Sequence, residues 1–189
     1  MKQLALLCAL GTGLMGVPAV QGAVVLQSFL SGSNTVPASG SSASGVGTVV
    51  LSDDFTNIFV SLQVFNLTGF ATSAGIYGPA FPGQSGPLLF PLSGIAFPPS
   101  QTSFSITGFF FLDGDQAQYL LSNQFYFNVY STAFPEGGFS VNSIDPTYPP
   151  EDGSGGELRG QIIPEPGTLA MVFAGFGLCY AGRRRMAKS

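Results

Sequence analysis

Histidine and tryptophan are both missing from this chain of 189 residues, and only 8% of its residues are charged. Without histidine there is no imidazole to act as a general base or as a nitrogen ligand for zinc or copper. The two cysteines, Cys8 and Cys179, lie near opposite ends, so we expect no disulfide and no thiolate site in the middle of the chain. With the usual nucleophile and base pairs gone, we expect no catalytic residues, no cofactor and no enzymatic activity.

Basic residues are nearly confined to the two ends of the chain. Six bases and ten acids give a net charge of −4, but residues 23–163 hold one base, Arg159, against nine acids, which gives −8. A surface of that sign cannot neutralise phosphates, so nucleic-acid binding is excluded. Arg159 flanks a predicted strand face together with Glu157, and we expect a carboxylate to hold it and to fix the last strand.

The first 22 residues have the three regions of a secretory signal peptide. Lys2 precedes an apolar run over residues 4–15, and the small residues Val20 and Gly22 suit a cleavage site. We place the cleavage after Gly22, with cleavage after Ala23 as the alternative. The apolar run is too short to span a bilayer, which disfavours an uncleaved transmembrane start.

A second targeting segment occupies residues 164–189. A Pro-Glu-Pro motif at 164–166 precedes an apolar run of fourteen residues at 168–181, and three arginines follow at 183–185. As a helix this run is about 21 Å long, shorter than the hydrocarbon core of about 30 Å, so it would tilt or thin the bilayer. The arginines would stay in the cytoplasm and the acidic domain on the opposite side. A buried core helix is the alternative for a run of this length.

At these residues the chain resembles the PEP-CTERM sorting signals of bacteria, in which a Pro-Glu-Pro motif, an apolar helix and an arginine cluster occur in this order. In that family an exosortase, a processing transpeptidase, recognises the tail in the membrane. The resemblance implies an exported protein of the envelope, cell surface or extracellular matrix of a Gram-negative bacterium, anchored in the membrane at least transiently, with exopolysaccharide as a candidate partner. It assigns the sorting signal to six residues: Pro164, Glu165, Pro166, Arg183, Arg184 and Arg185.

Residues 23–163 have the alternating pattern of β-strands. In 58–65 every second residue is aliphatic, which predicts one face turned inward, and similar alternation occurs in 103–107, 125–130 and 157–162. Weaker strand candidates lie at 24–30, 47–51, 75–78 and 88–92. A short helix is predicted over 116–121 with Asp115 as its N-cap. Strands split by glycine, proline and serine at intervals near ten residues predict an all-β antiparallel sandwich or barrel.

Phenylalanine is the abundant large residue of this segment, with sixteen copies. Because tryptophan and methionine are missing from 23–163, we expect phenylalanine to fill the core rather than to form a ligand-stacking surface. The serine- and glycine-rich stretch 32–47 is expected to be a solvated loop. An acidic, proline-rich segment at 134–155 could contact a partner or a cation, but a solvated insertion is favoured.

Five sequence blocks resemble the CHRD (chordin-type) domain pattern: 29–37, 45–49, 74–80, 126–132 and 156–162. The resemblance covers nearly all of 23–163 and implies an immunoglobulin-like β-barrel with distant similarity to Cu/Zn superoxide dismutase. That family has no settled biochemical role. Its pattern usually has histidine where Gly75, Tyr77 and Tyr130 stand here, so a histidine-bound copper or zinc ion should not bind. A dismutase-like oxidoreductase is therefore the least favoured alternative.

Ca²⁺ is the one metal that oxygen ligands alone would suit. Asp113 and Asp115, on either side of Gly114, are the candidates, although the other ligand positions of an EF-hand loop are missing. Unpaired surface acids are the favoured interpretation.

The sequence therefore predicts three parts: a signal peptide at 1–22, a β-domain at 23–163 and a sorting segment at 164–189 with a helix over about 168–181. The expected function is that of a secreted, non-enzymatic surface or extracellular-matrix protein. The alternative is an adhesion module that binds Ca²⁺ or a saccharide.

Overall fold

The structure, a computed structural model, describes residues 23–93, 100–135 and 153–165. The predicted signal peptide, most of the acidic segment, the helix at 168–181, Pro166 and the three arginines at 183–185 lie outside the described residues. None of the helices within the described ranges is long and apolar enough to cross a membrane.

The described residues form one antiparallel sheet of nine strands. The strands are β1 Val24–Ser31, β2 Ser44–Leu51, β3 Asn57–Phe65, β4 Ala71–Tyr77, β5 Leu88–Pro91, β6 Phe104–Phe111, β7 Tyr126–Ser131, β8 Leu158–Gln161 and β9 Ile163–Pro164. A 3-10 turn, Gly32–Asn34, follows β1, and the helix α1, Gln116–Leu121, lies between β6 and β7. The predicted all-β class and the predicted strands are thus confirmed.

The sheet curls into an almost closed barrel. Its strand order is β5-β4-β7-β8-β1-β2-β3-β6, and β9 adds to β1. The two end strands approach each other through their side chains, since the ring centroids of Phe90 on β5 and Phe110 on β6 are 5.0 Å apart. This curvature encloses one apolar core between the two halves of the sheet.

Strand alternation builds that core as the sequence predicts. The even-numbered residues of β3 from Ile58 to Val64 are fully buried. On β2 the inward position 47 is a glycine because the ring of Phe127, from the opposite half, fills the space: a Cβ there would lie 2.3 Å from a ring carbon. Core packing therefore depends on long-range contacts as well as on the period of two.

Phenylalanine was expected to fill the core, but many of its side chains are exposed, so this prediction is wrong for them. Among the described residues seven are exposed: Phe29, Phe59, Phe65, Phe70, Phe81, Phe109 and Phe111. The physical reason is the alternation itself. When Ile58 and Val60 point inward, Phe59 between them must point outward.

The helix α1 has the predicted bounds and the predicted N-cap residue, but the side-chain capping bond expected of that residue is missing. Asp115 occupies the N-cap position and its side chain makes no capping hydrogen bond. The side chain of Gln116 instead accepts a hydrogen bond from the backbone N–H of Asp113, at 2.9 Å. The turn before the helix is thus held by the amide oxygen of Gln116, and the carboxylate of Asp115 does not cap the helix.

The two halves of the sheet differ on their outer sides. On β4, β7 and β8 the outward side chains are covered by residues 78–87 and 153–156, and we call this the closed face. On β1, β2, β3 and β6 the outward side chains remain accessible, and we call this the open face. These four strands contain no charged residue.

Candidate functional site

The closed face contains the three positions at which the CHRD pattern usually has histidine. Gly75 and Tyr77 lie on β4, and Tyr130 lies on the neighbouring strand β7. The rings of Tyr77 and Tyr130 are 6.4 Å apart, and a Cβ on Gly75 would lie 3.1 Å from the Tyr77 ring. The fold therefore brings the three positions together, but glycine and tyrosine do not supply the nitrogen ligands that copper or zinc needs. Within the described ranges no group of three or more His, Cys, Asp or Glu residues could hold a metal ion.

Arg159 is a buried cation on this face, with 2% of its surface exposed. Its guanidinium carbon lies 3.6 Å from the centroid of the Tyr126 ring, a cation–π geometry, and Nη2 donates to the backbone oxygen of Gln84. Nη1 is buried and has no hydrogen-bond partner among the described residues. Burial lowers the pKa of Arg159 while Tyr126 and Tyr130 act in the opposite direction, and the guanidinium remains charged.

Among the described residues no carboxylate contacts the guanidinium of Arg159. Glu157, two residues earlier and just before β8, has other partners, and the ring of Tyr126 lies against the guanidinium. Four of the nine acids of 23–163 lie outside the described residues, so the expectation that a carboxylate holds Arg159 stays a prediction.

Glu157 is fully buried and connects three separate parts of the chain. Its Oε1 accepts hydrogen bonds from the hydroxyl of Ser41 at 2.7 Å and from the backbone N–H of Thr68 at 2.6 Å, and its Oε2 accepts one from the hydroxyl of Ser131. Its backbone oxygen accepts a further bond from the hydroxyl of Ser39 at 2.8 Å. The stretch 32–47 was predicted to be a solvated loop, but two of its serines, Ser39 and Ser41, bond to Glu157.

The ionised form of Glu157 is stabilised by neutral donors. Burial alone raises the pKa of this carboxyl group, but the hydrogen bonds from Ser131, Thr68 and Ser41 favour the charged form more strongly and leave the pKa below its ordinary value. The carboxylate is charged at neutral pH without a described cation in contact. Its role is to hold loops on the barrel, since all its oxygens are already bonded.

Two further side chains hold the described end of the acidic segment 134–155. Asn128 donates through Nδ2 to the hydroxyl of Tyr130 at 2.8 Å and to the backbone oxygen of Gly153 at 3.0 Å. The hydroxyl of Tyr126 donates to the same Gly153 oxygen at 3.2 Å. Beyond this point Gly155 pairs with Val36, so the segment crosses the face and joins the opposite loop. The closed face is a hydrogen-bonded layer whose groups bind the protein's own loops.

The open face is arranged in rows that cross β1, β2, β3 and β6. One row is apolar: Val25, Val50, Phe59 and Phe109. The next is polar and uncharged: Gln27, Thr48, Ser61 and Thr107. The third is mixed: Phe29, Val46, Gln63 and Ser105. The sequence did not predict this exposed face, although the alternation in β3 already placed Phe59 and Phe65 outward.

The predicted calcium residues and the two described residues of the sorting motif, Pro164 and Glu165, lie at one end of the barrel. Asp113 and Asp115 are exposed in the turn before α1, with no third acid close enough to complete a site in the described ranges. Pro164 belongs to β9 and pairs with Leu26. The side chain of Glu165 accepts a hydrogen bond from Gln27 at 2.6 Å, so this part of the motif lies against the start of β1.

Replacing Glu157 by glutamine should destabilise the fold by about 2–3 kcal/mol at neutral pH, because an amide nitrogen would face one of the buried donors. The folded pKa of Glu157 is depressed, so its stabilising effect is present above the unfolded pKa near 4.5 and is lost as the pH falls through the folded value. The difference between wild type and Glu157→Gln in denaturant unfolding should therefore shrink in acid. Asp113→Asn, at an exposed acid, is the control. A constant difference at all pH values would contradict this role.

Replacing Arg159 by alanine should destabilise the fold by about 2–4 kcal/mol, since the stacking on Tyr126 is lost and the backbone oxygen of Gln84 is left without its donor. Arg159→Met keeps the apolar stem and should recover part of the loss. Thermal unfolding of the purified full-length chain measures both. An unchanged melting temperature in Arg159→Ala would remove this assignment.

Comparison with known proteins supplies a family. The CHRD domain model matches residues 26–139. The sheet continues beyond this match, since β8 and β9 lie after it. Neither the curated proteins nor the solved structures give a match to this chain. Because the matched residues make up more than half of the sequence and form strands β1 to β7 of the barrel, the protein belongs to the CHRD domain family.

Proposed function

We propose that this CHRD protein is a non-enzymatic component of the cell surface or extracellular matrix, exported by its N-terminal segment and sorted by an exosortase at its C-terminal segment. The observation that carries the proposal is the open face. Four adjacent strands without a charge expose Phe29, Phe59, Phe65, Phe109 and Phe111 on one side of the barrel. Contiguous exposed apolar surface of this kind marks an interaction site in a soluble protein.

The closed face supports a role without catalysis. Its charged groups, Glu157 and Arg159, are buried and engaged with loops or with an aromatic ring. A general acid or base must reach the proton that it transfers, and these two groups are covered. The positions where the family pattern has histidine carry Gly75, Tyr77 and Tyr130, which lack a base that works near neutral pH.

The position of the sorting motif supports export and sorting. Pro164 is the last residue of β9, and the side chain of Glu165 is only partly buried. The motif therefore begins at the point where the described sheet ends. An enzyme that reads residues 164–166 would meet them at the edge of the folded domain, beside β1.

Sorting is tested by fractionating cells with and without the exosortase. We expect the protein at the cell surface or in the matrix of the complete strain, and retained in the inner membrane, with its tail uncut, in the deletion strain. A variant with Glu165→Ala and Pro166→Ala should behave in the complete strain as the wild type does in the deletion strain. Equal amounts of soluble periplasmic protein in both strains would contradict the sorting proposal.

A second candidate function, saccharide binding by the same domain, is favoured by the rows of the open face. The polar row offers hydroxyl and amide groups next to exposed rings, the combination that suits a neutral polysaccharide. In this case a glycan array gives a signal that Phe29→Ala weakens about tenfold, while Phe81→Ala, an exposed ring in a loop, leaves it unchanged. Calorimetry with Ca²⁺, repeated on Asp113→Asn, tests the cation form of this candidate. No glycan signal and flat titrations would leave the structural role alone.

A further inference from the structure

The described chain ends against one edge of the open face. β9 pairs with β1, and the backbone N–H of Glu165 bonds to the oxygen of Val25 while its side chain bonds to Gln27. Three residue steps later, at position 168, the apolar run begins. Three steps of extended chain reach at most about 11 Å. If that run lies in a bilayer, as the proposed function requires, this end of the barrel must lie close to the membrane surface.

The same end carries an unbroken apolar row. The row crosses β1, β2, β3 and β6 through Val25, Val50, Phe59 and Phe109. Two apolar side chains in neighbouring register positions extend it: Ile163 of β9, which pairs with Gln27, and Phe111 of β6, which pairs with Asn57. Five adjacent strands span about 19 Å. The larger side chains are accessible, with Phe111 75% exposed and Phe109 53% exposed, and these two rings pack edge to face at 5.3 Å.

The charge of the turns around the row indicates which lipid headgroups the row can approach. The row itself is uncharged, while four exposed aspartates flank it: Asp53, Asp54, Asp113 and Asp115. Within the described ranges the only base is the buried Arg159. The described part of the barrel therefore offers no base to attract anionic lipids, and contact of the row would be driven by burial of apolar area.

We propose that the apolar row Val25, Val50, Phe59 and Phe109, together with the adjacent Ile163 and Phe111, lies on the surface of the bilayer that holds the C-terminal segment, with its phenylalanine rings at the boundary between headgroups and acyl chains. The inference rests on the proposed membrane segment and adds an orientation to it. Phe29 and Phe65 lie on the same face but towards the other end of the strands, and point away from the lipid. The mixed row thus stays free for a partner in the matrix.

Single tryptophans test this orientation, because the natural chain contains none. The full-length chain is reconstituted into vesicles of phosphatidylcholine with and without brominated acyl chains, which quench tryptophan on contact. In Phe109→Trp and Phe111→Trp we expect at least about a twofold loss of emission, as for side chains held at the acyl boundary. Phe29→Trp and Phe65→Trp are the matched controls, and their emission should stay nearly unchanged. Circular dichroism checks that each variant keeps the β-sheet.

Vesicle flotation separates the two ways in which the inference can fail. Vesicles that float without the protein contradict the membrane segment and, with it, the contact of the row. Protein that floats but shows no quenching at positions 109 and 111, or equal quenching at 29 and 65, contradicts the orientation alone. Cross-links between two copies of the chain at position 109 or 111, without quenching, would contradict the contact with lipid. They would assign the row to contact between copies. Phosphatidylglycerol in the vesicles should weaken the quenching, and Asp53→Asn with Asp54→Asn should restore part of it.

Discussion

A single buried carboxylate, that of Glu157, fastens two distant loops to the end of β7 at the edge of the closed face. Burying a charge is costly unless hydrogen bonds satisfy it, and here Ser41, Thr68 and Ser131 donate to its two oxygens. Ser41 and Thr68 lie in loops far from Glu157 along the chain, and Ser131 ends β7. Removing the carboxylate would leave these buried donors unpaired and release both loops from the edge of the closed face.

The two faces of the barrel differ because residues 78–87 and 153–156 cover only the closed face. The closed face contains the described buried charges, and each of its main polar groups binds the protein itself. The open face has no charge and leaves its phenylalanines accessible. The open face thus presents apolar side chains and hydroxyl groups to its surroundings, and it is the surface that the proposed adhesion to a membrane or polymer would use.

Much of the fold could be predicted because its signal is local. The alternation from Ile58 to Val64 fixes which residues point inward, and the same pattern placed Phe59 outward, although we expected phenylalanine to be core. The partners of Glu157 could not be predicted, since Ser41 and Thr68 lie 116 and 89 residues away and sequence spacing carries no sign of such contacts. Arg159 was assigned a carboxylate on charge alone, whereas the ring of Tyr126 came within reach only through the pairing of β7 with β8.

The difference between the two faces is tested most directly by hydroxyl-radical footprinting of the full-length protein, on intact cells and after extraction in detergent. The account predicts that Tyr77 and Tyr126 of the closed face resist oxidation in both states. It predicts that Phe59, Phe109 and Phe111 are protected on cells and oxidised after extraction. Oxidation of the closed-face tyrosines in the folded protein, or equal oxidation of the three phenylalanines in both states, would contradict it.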